Sequence, residues 1–195
     1  MCEDIDRGDY MNEVIQNIHN RKSVRKFLDK QIPKEDIITL IEAGIEAPSG
    51  HNSQSVRYTV IRDQSLINHM SEIAKTHMKT SKIDWISKYG HNERYHVLHH
   101  APTVIIVSVS EKAYSPVEDS SAAIENILLA ATSMNIGSLW VELIKYYFKD
   151  PNASKVLSIK EGYTPLYAIC LGYENKERVF HKPSRNKDVY DFIEE

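Results

Sequence analysis

The stretch from Ser121 to Met134 constrains this chain most, because it is apolar on nearly every side of a helix. Glu125, Asn126, Thr132 and Ser133 interrupt it, and with Glu118 and Asp119 they recur at about seven residues, which leaves one narrow polar stripe. Such a helix needs a central place in the fold or a partner subunit to cover it. The other end of the chain has the opposite character. From Tyr173 onward the sequence is polar and charged, too poor in apolar residues for its own core, so it is a frayed tail or an arm packed on something else.

The remaining elements follow from periodicity. Tyr10, Met11, Val14, Ile15 and Ile18 recur with helical spacing, predicting an amphipathic helix that ends near Asn20. A second helix starts at Pro33, with Glu35 and Asp36 near its positive end, and stops before Pro48. Its predicted buried stripe is Ile37, Ile38, Leu40, Ile41 and Ile45. Val56 to Ile61 reads as a strand and Ser65 to Lys79 as a helix. Thr80 to His100 is polar and aromatic with weak periodicity, which suggests short helices or a mobile lid. Thr103 to Val109 is almost purely β-branched, the pattern of a strand covered on both faces. Ser138 to Val141 and Pro165 to Leu171 complete the strands. Nothing in residues 1–195 divides the chain, so the expectation is one domain of mixed α/β content, with strand order and direction left open.

Composition removes several classes of function. A net charge of −3 lacks the basic excess of a nucleic-acid or membrane-surface binder. No apolar run approaches the roughly 20 residues of a membrane-spanning helix, and the opening residues lack the apolar segment of a secretion signal. Cys2 and Cys170 are the only cysteines, and their placement argues against a structural disulfide, which fits a reducing cytoplasm. His96, His99 and His100 lie close together without a cysteine or a placed carboxylate, so no metal site is expected. There is no phosphate-cradling glycine loop, dinucleotide fingerprint, His-Glu-x-x-His run or Gly-x-Ser-x-Gly elbow.

Four segments remain that can carry chemistry. Arg21, Lys22, Ser23 and Arg25 put three cations and a hydroxyl where they can grip a phosphate, or simply neutralise the end of the first helix. Pro48, Ser49, Gly50, Asn52 and Gln54 lie between a helix and a strand. They offer donors and acceptors suited to a planar polar ring edge, or form an ordinary connection. Gly137 reads as a helix stop, followed by Ser138, Trp140, Val141 and Glu142. Trp140 is either core or a wall for an aromatic ligand. Lys182 and Arg185 in the tail signify nothing alone.

Taken in order, these segments resemble the nitroreductase family. Arg21 to Phe27 is similar to its opening Arg-Arg-Ser-x-Arg-x-Phe signature, and Ala47 to Gln54 to its Ala-Pro-Ser and Asn-x-Gln signature. The helix from Asp119 resembles the long central helix of that family, Gly137 to Trp140 its flavin-side end, and Leu171-Gly172-Tyr173 its closing strand. The resemblance runs from about Asn12 to Arg185. It implies an α+β fold with a mixed, mostly antiparallel sheet flanked by helices, in an intertwined homodimer that exchanges a C-terminal arm, residues 173–195. It further implies FMN between the subunits. Arg21, Lys22, Ser23 and Arg25 would hold phosphate and nearby flavin atoms, with Lys182 and Arg185 from the arm. Pro48, Ser49, Gly50, Asn52 and Gln54 would line the ring. Gly137, Ser138, Trp140 and Val141 would lie beside it, and Glu142 would bring a backbone N–H to flavin N5. The implied activity is NAD(P)H-dependent reduction of nitroaromatic, quinone or similar flat acceptors by a ping-pong sequence, with no side-chain acid or base. A flavin carrier or sensor without turnover is the alternative. Lys22 stands where the family commonly has arginine, and Ser55-Val56 follow Gln54 where it often has proline and tryptophan.

Overall fold

The computed structural model describes residues 12–177 and 183–194. Helix α1, Glu13–Asn20, begins at Asn12, whose side chain accepts the Ile15 amide hydrogen at 3.0 Å. Tyr10 and Met11, expected on this helix, lie outside the described residues. Val14, Ile15 and Ile18 do lie on α1, yet all three are exposed. Helix α2, Lys34–Ile45, starts one residue after the expected Pro33. Ile37 and Leu40 are buried as predicted, but Ile38 and Ile45 are 46% and 63% exposed. Their place is taken by Gly44, where α2 comes so close to its neighbours that an added Cβ would lie 2.7 Å from the Tyr58 hydroxyl.

Four strands form one sheet in the order β1-β2-β4-β3: β1 Val56–Ile61, β2 Thr103–Ser110, β3 Gly137–Val141 and β4 Tyr163–Gly172. Every pair is antiparallel, including the central β2–β4 ladder, which runs from Thr103 opposite Leu171 to Ser110 opposite Tyr163. The expected mixture of directions reduces, among the described residues, to a single parallel bridge between Ser23 and Ser138.

The sheet is covered on both faces, which explains the unbroken apolar run from Val104 to Val107 in β2. Val104 and Ile106 pack into a core with α3 (Gln64–Lys79), α4 (Asp84–His91) and the 3-10 segment Leu143–Lys149. Ile105 and Val107 point the other way, into a core with α2 and the helix Pro116–Ser133. Alternate residues of a strand face opposite sides, so each face receives every second side chain. The region from Thr80 to His100 contributes the short helix α4 and a series of turns, in keeping with the first of its two expected forms.

Helix α5, Pro116–Ser133, has the central place its composition demanded, packed between α2 and the sheet. Its polar stripe is not uniformly solvated: Asp119 is only 3% exposed. Its end also differs from expectation. Asn135 takes the left-handed position (φ 56°), the Ile136 amide donates to Ala131 O at 2.8 Å, and the Asn135 amide donates to Thr132 O. That is a Schellman ending built on asparagine. Gly137 is already in β3, where an added Cβ would meet Gly172 O and Val24 at 3.0 Å.

No helix among the described residues is long and apolar enough to cross a membrane. Cys170 is a buried free thiol that donates to Leu98 O, and burial pushes its pKa up.

Candidate flavin site

The basic segment runs in extended form along the rim of the sheet. The Val24 amide donates to Ser138 O at 2.9 Å, Leu28 donates to Tyr173 O at 2.9 Å, and Asn175 returns a bond to Lys26 O at 3.0 Å. Extended backbone alternates its side chains, so Arg21, Ser23 and Arg25 share one side while Lys22 and Val24 take the other. Val24 is buried beside Gly137. Lys22 reaches Glu174, its ammonium 2.7 Å from the carboxylate. Arg21 lies 3.5 Å from Glu125 on α5, and its side chain is 18% exposed. Ser23 and Arg25 are open to solvent. One side of the segment therefore presents two guanidinium groups and a hydroxyl, a donor set that fits a phosphate and its ester oxygens.

Arg25 stands beside a second group of residues. Tyr95 and His99 meet edge to face at 5.9 Å between centroids, and Tyr95 stacks on Tyr89 at 4.5 Å. Burial first, then the Arg25 guanidinium, lowers His99 to about 4. His99 and His100 both have left-handed backbone, at φ 52°.

The loop from Ala47 to Gln54 contains a 3-10 turn at Gly50–Asn52 and three left-handed residues that are not glycine: His51 at 53°, Asn52 at 52° and Gln54 at 47°. Such conformations cost about 1–2 kcal/mol each for most side chains, somewhat less for asparagine. They persist where surrounding contacts over-determine them, and they gather at functional sites. Here Ser49 Oγ accepts the Gln54 amide at 3.0 Å, and the Asp119 carboxylate accepts from Gly50 N at 2.8 Å, Ser55 Oγ at 2.7 Å and Ser53 Oγ at 3.2 Å. Burial raises the Asp119 carboxyl, and these three donors more than offset it, so the net shift is downward. Pro48, Ser49, Asn52 and Gln54 line a cleft of about 490 Å³ with Gly44, Tyr58 and Asp119.

At the far end of β3, Trp140 is half-buried, edge-on to Tyr167 at 5.1 Å, and Val141 is buried. With Ser121, Tyr167 and Glu142 it borders an open cleft of about 340 Å³. Glu142 leads the strand into the following 3-10 segment, its side chain turned to Lys145.

Within one chain these pieces are apart. The loop is tied to Asp119, whereas Arg21 reaches Glu125, roughly 9 Å further along α5 and about 120° around it. Lys22, Gly137 and Ser138 line yet another cleft, of about 450 Å³. Lys182 lies outside the described residues, and Arg185 is exposed. Asp119, Ser55, Glu174, Tyr95 and His99 have no signature of their own in the sequence. A carboxylate in a helix's first turn reads as a partner for the helix dipole, and nothing local says that it faces a loop.

The sequence matches the Nitroreductase family over residues 18–173. The chain belongs to that family. A protein of Archaeoglobus fulgidus, provisionally named NADH dehydrogenase/NAD(P)H nitroreductase, is 31% identical over 88% of this chain and 91% of its own length. The solved nitroreductase with bound FMN from Bacteroides fragilis superposes with a TM-score of 0.87 at 30% identity, covering 94% of this chain and all of the other. A second FMN-bound nitroreductase, from Desulfitobacterium hafniense, gives 0.78 at 27% identity over 92% of this chain and 98% of its own. For this member, the nitroreductase fold comprises the four antiparallel strands and flanking helices described above.

Proposed function

We propose that this nitroreductase is an FMN-dependent NAD(P)H oxidoreductase acting on nitroaromatic, quinone or similar flat acceptors, as a cytoplasmic homodimer. The observation that carries the reading is the extended segment with Arg21, Ser23 and Arg25 on one side, in a chain whose similar solved structures hold FMN. Bound FMN would supply the redox chemistry, accepting hydride and passing electrons on. The chain's residues bind and tune. Arg21 and Arg25, with Lys182 and Arg185 from the arm, would balance the phosphate charge, and Ser23 would fix its orientation through a directional bond. Lys22 is proposed at the same site, where its pairing with Glu174 would order the segment that carries it.

A cation near the flavin pyrimidine and a donor at N5 both favour a reduced flavin. Arg25 and the Glu142 backbone N–H are assigned those places, with Gly137, Ser138, Trp140 and Val141 shaping the wall between them. Pro48, Ser49, Gly50, Asn52 and Gln54 would meet the ring from the second subunit. Three facts support the dimer. The halves of the site lie apart in one chain, and α1 leaves Val14, Ile15 and Ile18 uncovered. Tyr190, Phe192 and Ile193 of the arm are likewise exposed, as expected of a segment that packs on a partner. Donor and acceptor would use the same open face in turn, the ping-pong order.

The absorption spectrum of the purified protein tests the reading directly. A yellow protein bleached anaerobically by NADH or NADPH, then reoxidised by a quinone or nitroaromatic over many turnovers, is the expected result. A protein that stays colourless after incubation with FMN overturns it.

A further inference from the structure

We propose that Asp119 is a positioning residue: it holds the loop of Ser49 and Asn52 in the strained conformation that presents both side chains to the flavin. This inference rests on the FMN reading above. Its basis is a mismatch between where Asp119 sits in sequence and what its carboxylate does. The first turn of α5 also carries Glu118, which is exposed and free to favour the positive helix end. Asp119 is buried, and all three donors to its oxygens come from the loop: the Gly50 amide and the Ser53 and Ser55 hydroxyls. The loop these bonds grip contains the left-handed residues His51, Asn52 and Gln54.

The bonds bracket the strain. Gly50 precedes His51, and Ser53 and Ser55 flank Gln54, so the anchored points lie on both sides of the left-handed residues. Further order comes from Asn52 N to Ser49 O at 2.9 Å and Ser53 N to Gly50 O at 3.1 Å. Beyond Ser55 the chain is locked into the sheet, since Ser110 N donates to Ser55 O at 2.9 Å. Two rigid elements, α5 and the rim of β1, thus meet at one carboxylate, with the strained turn between them. Remove the acceptor and the buried Ser55 hydroxyl, the Ser53 hydroxyl and the Gly50 amide lose their partner, while the left-handed residues lose what opposes their relaxation. Asn52, which is exposed, and Ser49, whose oxygen already accepts from Gln54, would then no longer be aimed.

The test compares wild type, Asp119→Ala, Asp119→Asn and Ser49→Ala. Amide hydrogen exchange on the FMN-free proteins reads the loop itself. Titration with FMN, with the visible spectrum and midpoint potential of the bound flavin, reads the consequence. Asp119→Ala should speed exchange at Gly50 by about tenfold or more, weaken FMN by about tenfold, and shift the spectrum or potential of what remains bound. Ser49→Ala should weaken FMN and speed exchange at Gln54, whose amide it releases, while Gly50 keeps its wild-type rate. If Asp119→Ala does not fold, Asp119→Asn decides. It keeps the shape and an oxygen for the Gly50 amide, but its NH2 only donates, so the Ser53 and Ser55 hydroxyls must reverse and the bonds lose their charge; faster exchange and weaker FMN, by less than in Asp119→Ala, are expected. A folded Asp119 variant with wild-type exchange, affinity and spectrum overturns the proposal alone. Wild-type protein that takes no FMN overturns the functional reading and this inference with it.

Discussion

His96 is buried with both ring nitrogens committed: Nδ1 accepts from the Leu98 and His100 amides at 3.2 Å, and Nε2–H donates to Asn68 Oδ1 at 3.2 Å. Burial, then the nearby His100, His99 and Lys75, push its pKa down to about 3. The neutral ring is thus part of the folded state, while the unfolded chain takes up a proton near the ordinary value of about 6.5. Because the folded pKa is the lower one, its stabilising contribution is complete above about 6.5 and is lost as pH falls towards 3. At pH 5 the loss is about 2 kcal/mol. Melting curves at pH 7.5 and 5 should show this drop, and it should shrink in His96→Gln, which cannot take up the proton. A variant as acid-sensitive as wild type would refute the assignment.

Arg25 gives the second residue-scale prediction. Exposed beside His99 and proposed to meet the flavin, it should weaken FMN by about ten- to a hundredfold when changed to alanine, with little change in melting temperature. Fluorescence titration and a thermal melt separate the two effects.

Elements were legible in the sequence where one signal dominated. Strands β1 and β2 follow from β-branched runs, and β2's burial on both faces was readable because Val104 to Val107 place apolar side chains on the two faces in turn. Ile106→Ala in β2 should therefore cost about 2–5 kcal/mol in chemical denaturation, since its site is closed by two packed layers. Helix α2 shows where the same method fails. Ile38 and Ile45 satisfy helical spacing, yet the buried stripe passes through Gly44, because closeness to Tyr58 and Ile127 decides the rotation of the helix. Gly44→Ala should destabilise by about 1–3 kcal/mol, with overpacking outweighing the gain in helix propensity. An unchanged or raised stability would show that Tyr58 and Ile127 can yield. The end of α5 is a similar case: Gly137 drew attention as a helix stop, whereas Asn135 performs it through a backbone angle that composition does not display.

On the scale of the whole molecule, the uncovered stripe of α1 and the divided site make a single prediction. Ile18→Asp should shift the protein towards monomer in sedimentation velocity and lose FMN in the same measure, because the two half-sites would part. Retention of FMN by a monomer would contradict the proposed sharing of the site.

The sequence by itself determined the four strands and the longer helices in their order, since those follow from local periodicity, but not the 3-10 segment Leu143–Lys149 or the short helix Ala153–Val156. It also indicated the chemistry on offer, because guanidinium groups, hydroxyls and loop donors are legible as residue types. Tertiary structure decided what each group does. It paired Lys22 with Glu174, set Arg21, Ser23 and Arg25 along one side of an extended segment, and turned Asp119 from the expected polar stripe of α5 onto the loop at Gly50. Those outcomes depend on segments far apart in the chain, whose approach is set by packing on both faces of the sheet. No short-range pattern encodes such a meeting. Covering of the apolar helix was the first demand read from this chain, and the fold met it within the chain for α5 while leaving α1 open.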